Sequence, residues 1–553
     1  MTRGTYGHAW QSPDLGSNRR EDHDMSLTRR LRGAAALLAA ASLALAGCSG
    51  GNSAPTSQES AGGGSVVIDT AFTIETTDPG HAYDTTAATV IKALYSTLTT
   101  FAGTDLTKAV PDLATWEANA EGTEFTFTLK DGQKFSDGSP VEAKDVVFSL
   151  KRIQAMKDAK PNFLLADITI TQKDDQTVVF TTKTPMLQLP AILATPSLGI
   201  LNSDVVTEQG GSTDGNDTAQ KFLDGESAGS GPFVLDTLDL TSQVVLTKNP
   251  EYTGDDPAGF DRVVIRNVTE SATQLVNLQG GDTNVAMDLN GDQVKQLGDG
   301  FTVNSAPSAQ TIFLLLNQDP SIGGSATGPE FAEAVRLGLD YPALLELAGT
   351  GAAQATGVIP PSFEGALPEG VTYDLDQAKA ALAASDYDGE TIKLRYPNDY
   401  PVGGVEFTPL AERIQSQLDK VGIKVDLAPA PFATELDAYV GGKEGFGLWF
   451  WGPDYADSTS FLPFAPGNTV GLRAGWKAED APEIAKLATD AAAAPDPDSR
   501  TPLFTQYAQS MQESGPFVPL IVPGSNISTS TSVTGVTYNP VWTMDIAALR
   551  PAS

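Results

Sequence analysis

The sequence predicts an α/β protein with more than one core. Three observations carry this. Strand-like and helix-like apolar patterns alternate along the chain. One stretch in the second half reads as a complete βαβ unit. The body that follows the N-terminal segment has roughly 500 residues, long enough for at least two cores.

Val66–Thr70 (VVIDT) opens the body as a strand, and Thr86–Leu98 (TAATVIKALYSTL) has apolar residues at helical spacing. In EFTFTLKDGQKF, Phe125, Phe127 and Leu129 share one face of a strand that turns at Asp131-Gly132. Ser139 with Glu142 has capping-box spacing, and Pro140 would then take the first helical position, which predicts a helix from Pro140 onward. The βαβ unit runs from strand Thr391–Tyr396 through the amphipathic helix EFTPLAERIQSQLDKVG, closed by Gly422, to strand IKVDLAP. A right-handed crossover makes its two strands parallel. FGLWFW, Phe446–Trp451, is a buried strand ended by Gly452-Pro453. It delivers WGPDYADS to a C-terminal sheet edge, where ligands of open α/β sheets sit. APEIAKLATDAAAA and RTPLFTQYAQSMQES are late helices, and there is no internal repeat.

Residues 25–48 place a basic stretch (Arg29, Arg30, Arg32) before a short apolar run ending in Leu45-Ala46-Gly47-Cys48. This reads as a signal peptide over residues 1–47, with Met25 the expected start. Its end resembles the lipobox of bacterial lipoproteins, which implies cleavage before Cys48 and acylation of its thiol. Cys48 is the only cysteine, so no internal disulfide forms. Residues 48–65 are rich in Gly and Ser and form a flexible tether. No later segment has the length of apolar sequence that a membrane-spanning helix needs. The net charge is −34; residues 1–47 hold six Arg and four acidic residues, so the remainder carries −36. That charge excludes nucleic acid and electrostatic attachment to anionic lipid.

Several ordered motifs carry a family resemblance. Thr126–Leu150 (TFTLKDGQKFSDGSPVEAKDVVFSL) follows Pro111-Asp112-Leu113-Ala114 and Trp116. GSGPFVL and LTKNPEY come next, then LVNLQGGDTNVAMDL, FAEAVRLGLDYPALL, YDLDQAKAALAASDY and PFVPLIVPG. Together, over roughly residues 66–550, they resemble the family 5 solute-binding proteins of ABC importers, the oligopeptide, dipeptide and nickel group; Ser230 and Phe233 depart from the family pattern. The resemblance implies the two-lobe periplasmic-binding-protein-like fold of type II. Lobe I with an inserted subdomain is expected at 66–304, lobe II at 305–518, and a return to lobe I at 519–553. It further implies a monomer on the extracytoplasmic face of the membrane. Its partners would be a peptide or other small solute, the permease and ATPase subunits of the importer, and the membrane through the lipid on Cys48. No cofactor or metal is expected.

In peptide-binding members a W-x-x-D-Y motif puts a carboxylate in the cleft against the peptide's α-ammonium. Trp451, Asp454 and Tyr455 match it. An α-ammonium is cationic at neutral pH, a carboxylate in a water-poor cleft pairs with it, and indole faces add cation–π attraction. The alternative is that Asp454 caps a helix or tightens the turn after Gly452-Pro453. At least one of Trp449 and Phe450 belongs to the core, because successive strand residues face opposite sides. Asp457 reads as solvated or as a cap, Arg336 as structural, and Asp137 and Gly138 as turn formers. Arg473 is the candidate for the ligand's carboxylate, with an ordinary surface arginine as the alternative.

Three other functions compete with peptide binding. A secreted lipoprotein hydrolase is disfavoured: after residue 47 the only histidine is His81, and the chain has no H-E-x-x-H. Scarce histidine also disfavours nickel as the ligand. An oligosaccharide is the alternative ligand, since indole rings stack on sugars too.

Overall fold

The structure is a computed structural model that describes residues 64–552 apart from 256 and 495. The signal peptide, Cys48 and nearly all of the tether lie outside the described residues. None of the described helices is long and apolar enough to cross a membrane.

Two large sheets organise the chain. The first has seven strands in the order Phe301–Pro307, Gly524–Ser530, Val285–Ala286, Ser65–Thr70, Arg262–Asn267, Gln243–Lys248 and Phe233–Asp239. A four-stranded antiparallel sheet is built between its segments from Ala114–Ala118, Glu124–Leu129, Thr177–Thr181 and Thr169–Gln172. Phe125, Phe127 and Leu129 are buried beneath it, as their alternation predicts. The second large sheet has six strands in the order Ala353–Gln354, Phe517–Val522, Thr311–Leu316, Phe446–Trp451, Ile392–Pro397 and Val425–Ala430.

The chain therefore passes between the sheets twice, from Pro307 to Thr311 and from Val522 to Gly524. The two passages run side by side, and Ser308 N–H donates to Pro523 O at 2.8 Å. Gly524 sits where backbones almost touch: a Cβ there would lie 2.6 Å from Thr350 O. The sequence boundaries at 304/305 and 518/519 fall inside strands Phe301–Pro307 and Phe517–Val522.

The βαβ unit forms as read. Strands Ile392–Pro397 and Val425–Ala430 pair in parallel from Ile392↔Val425 to Pro397↔Ala430. Helix Phe407–Val421 buries Phe407, Leu410, Ala411, Ile414, Leu418 and Val421, the three-and-four spacing of one face. Gly422 ends it at φ 109°, and its N–H donates to Leu418 O at 3.1 Å.

The capping-box reading of Ser139 and Glu142 is corrected. The helix spans Ala143–Ala155 with Glu142 as its N-cap residue, and Asp145 reaches back to accept from Glu142 N–H at 2.8 Å. Ser139 lies four residues before the first helical residue; its hydroxyl donates to Asp137 Oδ1 and accepts from Asn202 Nδ2 at 3.0 Å. Pro140 is held outside the helix in a bridge to Lys134. The FSDGSP stretch is thus a tight loop, with Gly138 at φ 86°.

Candidate functional site

The site is built on strand Phe446–Trp451, an inner strand of the six-stranded sheet. It pairs antiparallel with Thr311–Leu316 and parallel with Ile392–Pro397. Its side chains alternate between two cores. Leu448 and Phe450 pack with Leu394, Leu410 and Ile414, while Trp449 packs with Phe313, Phe461, Phe464 and Tyr507. Both faces of the sheet are covered, so Trp449 and Phe450 are both core residues, at 1% and 8% exposure. Trp449 also donates from Nε1 to Glu444 Oε2 at 2.6 Å.

Gly452-Pro453 ends the strand, since proline cannot donate to a ladder. The loop that follows is pinned at several points. Trp451 is half-buried; its indole N–H donates to Ser460 O at 3.0 Å, and its ring lies edge-on to Phe464 with centroids 5.5 Å apart. Tyr455 Oη and Thr459 Oγ1 are 3.0 Å apart, and Ser460 Oγ donates to Tyr455 O. Asp457 caps the 3₁₀ helix Ser458–Phe464 by accepting from Thr459 N–H at 2.9 Å. It also pairs with Arg500, which reaches Glu364 at 3.0 Å. Asp457 is therefore a cap and an ion-pair partner.

Asp454 differs from its neighbours. It is half-buried, and no Lys, Arg or His among the described residues pairs with it. Its side-chain partner is the Tyr83 hydroxyl, which donates to Oδ1 at 3.1 Å and to the Asp454 carbonyl at 3.2 Å. Burial pushes its carboxyl up to about 6, against the lowering effect of the Tyr83 bond. Tyr83 belongs to the segment between strand Ser65–Thr70 and helix Thr85–Leu94, so this bond spans the two lobes. Tyr455 lies on the same boundary and packs against the core of the four-stranded sheet.

Sequence reasoning missed Tyr83. Its short-range context, Asp78-Pro79-Gly80-His81, reads only as a turn, and its partner lies 371 residues away.

Arg473 is not part of this site. It ends the short helix Thr469–Arg473, and its carbonyl accepts from Asn317 Nδ2, as does that of Glu444 just before Phe446. Arg473 is thus at the N-terminal end of the strand whose C-terminal end leads to Asp454. Its guanidinium lies 4.6 Å from the centre of the Tyr439 ring. The six-residue strand separates the two by roughly 17–20 Å, so the structure does not bring Arg473 together with Asp454. Arg336, read as structural, is buried and donates to the carbonyls of Gly515 and Glu513, both at 2.8 Å.

Comparison with known proteins agrees with this architecture. Residues 108–471 match the family described as bacterial extracellular solute-binding proteins, family 5 Middle. The chain is 30% identical over 486 residues to the probable D,D-dipeptide-binding periplasmic protein DdpA of Escherichia coli, covering 86% of this chain and 92% of that one. Among solved structures, HbpA2 from Haemophilus parasuis superposes with a TM-score of 0.78 at 21% identity, covering 88% of this chain and all of that one (100%). DppA from Helicobacter pylori, in complex with the peptide STSA, gives 0.69 at 23% identity, covering 89% and 98%. The chain belongs to the family 5 bacterial extracellular solute-binding proteins.

Proposed function

We propose that this chain captures peptides by their α-ammonium group at Asp454, between two lobes that close on the ligand, and hands them to the permease of an ABC importer. As a family 5 protein it is an extracytoplasmic binding component and not an enzyme. The observation that carries the peptide reading is Asp454 itself. A half-buried carboxyl with a neutral hydroxyl as its side-chain partner is held against its preference for water, and a cationic ligand atom relieves that cost. The pinned loop around it, through Trp451 and Tyr455, supports a fixed position for the cation. The dipeptide-binding name of the 30% identical relative supports the same ligand class.

Mass spectrometry of solutes released by denaturing the purified protein tests this reading. Peptides with free amino termini are expected. A neutral oligosaccharide as the bound species would overturn it.

We place the protein at the outer face of the cell membrane through a lipid on Cys48, on the strength of the lipobox-like Leu45–Cys48. Cys48→Ser is expected to release it from the membrane fraction. Unchanged retention and mobility would contradict the anchor.

A further inference from the structure

We propose that Tyr83 is the lobe I half of the cation site: its hydroxyl holds Asp454 Oδ1, keeps the carboxylate ionised, and leaves Oδ2 for the ligand's ammonium. This rests on the reading of Asp454 given above and adds a residue from the other lobe.

Three features argue for it. The first is the chemistry of the contact. A phenol donates one proton and carries no charge, so it favours the carboxylate form without cancelling it. A carboxylate has about four acceptor positions, and Tyr83 occupies part of one oxygen. Tyr83 stays protonated, because burial and the charge of Asp454 push its hydroxyl well above the usual tyrosine range.

The second feature is how firmly the Tyr83 segment is seated. Arg152 takes both oxygens of Asp78, at 2.7 and 2.6 Å, and both oxygens of Asp217, at 2.8 and 2.7 Å. His81 Nδ1 lies 2.9 Å from Asp78 Oδ2. On the N-terminal side of Tyr83, Ser197 Oγ donates to Ala82 O at 2.6 Å. On the other side, Asp84 caps helix Thr85–Leu94 by accepting from Ala87 N–H. The Tyr83 ring meets Phe163 edge-on, with centroids 5.7 Å apart. A buried ion network this extensive beneath one turn suits a residue that must arrive at a fixed point.

The third feature is topological. The bond joins lobe I to the loop that carries Asp454, so the site acquires its full set of donors only when the lobes meet. The titratable groups around Asp454 are Tyr83 from lobe I and Tyr455 from its own loop. Asp457 lies beyond Tyr455 and is ion-paired with Arg500.

The test is calorimetry in the ligand-bound state, where the lobes meet, using the peptide released from the denatured protein as the titrant. Wild type, Tyr83→Phe, Asp454→Asn and the double variant are compared. Tyr83→Phe keeps the ring against Phe163 and removes only the hydroxyl. Tyr83→Phe is expected to weaken the peptide by about tenfold, the size of one charge-assisted hydrogen bond. In the Asp454→Asn background the same change should cost almost nothing, because the hydroxyl acts through the carboxylate. An affinity unchanged in Tyr83→Phe, or a loss equal in both backgrounds, with Asp454→Asn still weakened, overturns the role of Tyr83 and leaves Asp454 standing. An affinity unchanged in Asp454→Asn overturns both.

Discussion

Arg152 holds Asp78 with both ends of its guanidinium, Nη1 to Oδ1 at 2.7 Å and Nη2 to Oδ2 at 2.6 Å, and neither side chain is exposed to solvent. Two buried carboxylates, Asp78 and Asp217, share this one guanidinium, and Asp78 is also held by His81. Arg152→Met leaves Asp217 without a counter-charge and Asp78 with His81 alone, and is expected to cost about 3–5 kcal/mol. Arg152→Lys should recover only part of that, because a point charge cannot reproduce four directed bonds. Urea unfolding midpoints measure both; a midpoint unchanged in Arg152→Met would mean that the network is ornamental.

The same network sets an acid limit. Burial alone would raise Asp78, but the bonds from Arg152 and His81 outweigh it and hold the carboxyl at about 2, against an ordinary value of 3.8. A lowered carboxyl contributes stability that is complete above the ordinary value and lost as pH falls through the folded one. Stability should therefore fall between about pH 4 and 2, and Asp78→Asn should flatten that part of the pH profile.

Glu444 gives a dependence of the opposite sign. Burial pushes it up to about 8, the nearby Glu435 carboxyl adds to the rise, and the Trp449 N–H bond and the Arg395 charge oppose it. The folded state then holds a proton that the unfolded chain has lost. Stability should fall as pH rises from about 4.5 to 8, by up to about 1.4 kcal/mol per pH unit. Glu444→Gln keeps an acceptor for Trp449 and removes the titration. Its unfolding free energy should be flatter than wild type across that window, and matching slopes would contradict the assignment.

Much of the fold was legible in the sequence because local rules and tertiary context agree there. The spacing of Phe407, Leu410, Ile414 and Leu418, with glycine at position 422, points to one helix with one buried face, and that helix forms. Ser139 shows the limit of local reading. The capping pattern is present, but the loop ties the Ser139 hydroxyl to Asp137 and Asn202 and the helix starts only at Ala143, which depends on loop geometry. Sequence spacing is also a poor guide to how far Arg473 lies from Asp454. It lies 19 residues from Asp454 in the chain, yet the chain folds back to the start of the strand that Asp454 follows. Tyr83 was invisible for the converse reason, since its contact is made across two lobes.

The paired passages at residues 308–310 and 523 should act as a hinge. Small-angle scattering should give a smaller radius of gyration when a bound peptide is present than after it has been stripped. An identical radius in both states would count against trapping by lobe closure.

The central claim is the charge pairing at Asp454, and calorimetry on a two-by-two set tests it most directly. Wild type and Asp454→Asn are each titrated with the peptide recovered from the protein and with its N-acetylated form. Asp454→Asn should lose about 2–5 kcal/mol for the free peptide, roughly 30-fold to several-thousand-fold in affinity. Wild-type binding should weaken by a similar factor on acetylation, and should also weaken as pH falls below about 6, where Asp454 takes up a proton. In Asp454→Asn, acetylation should then cost almost nothing, because the partner of the ammonium is already gone. Losses that simply add, acetylation costing the mutant as much as it costs wild type, would mean that the ammonium is held elsewhere.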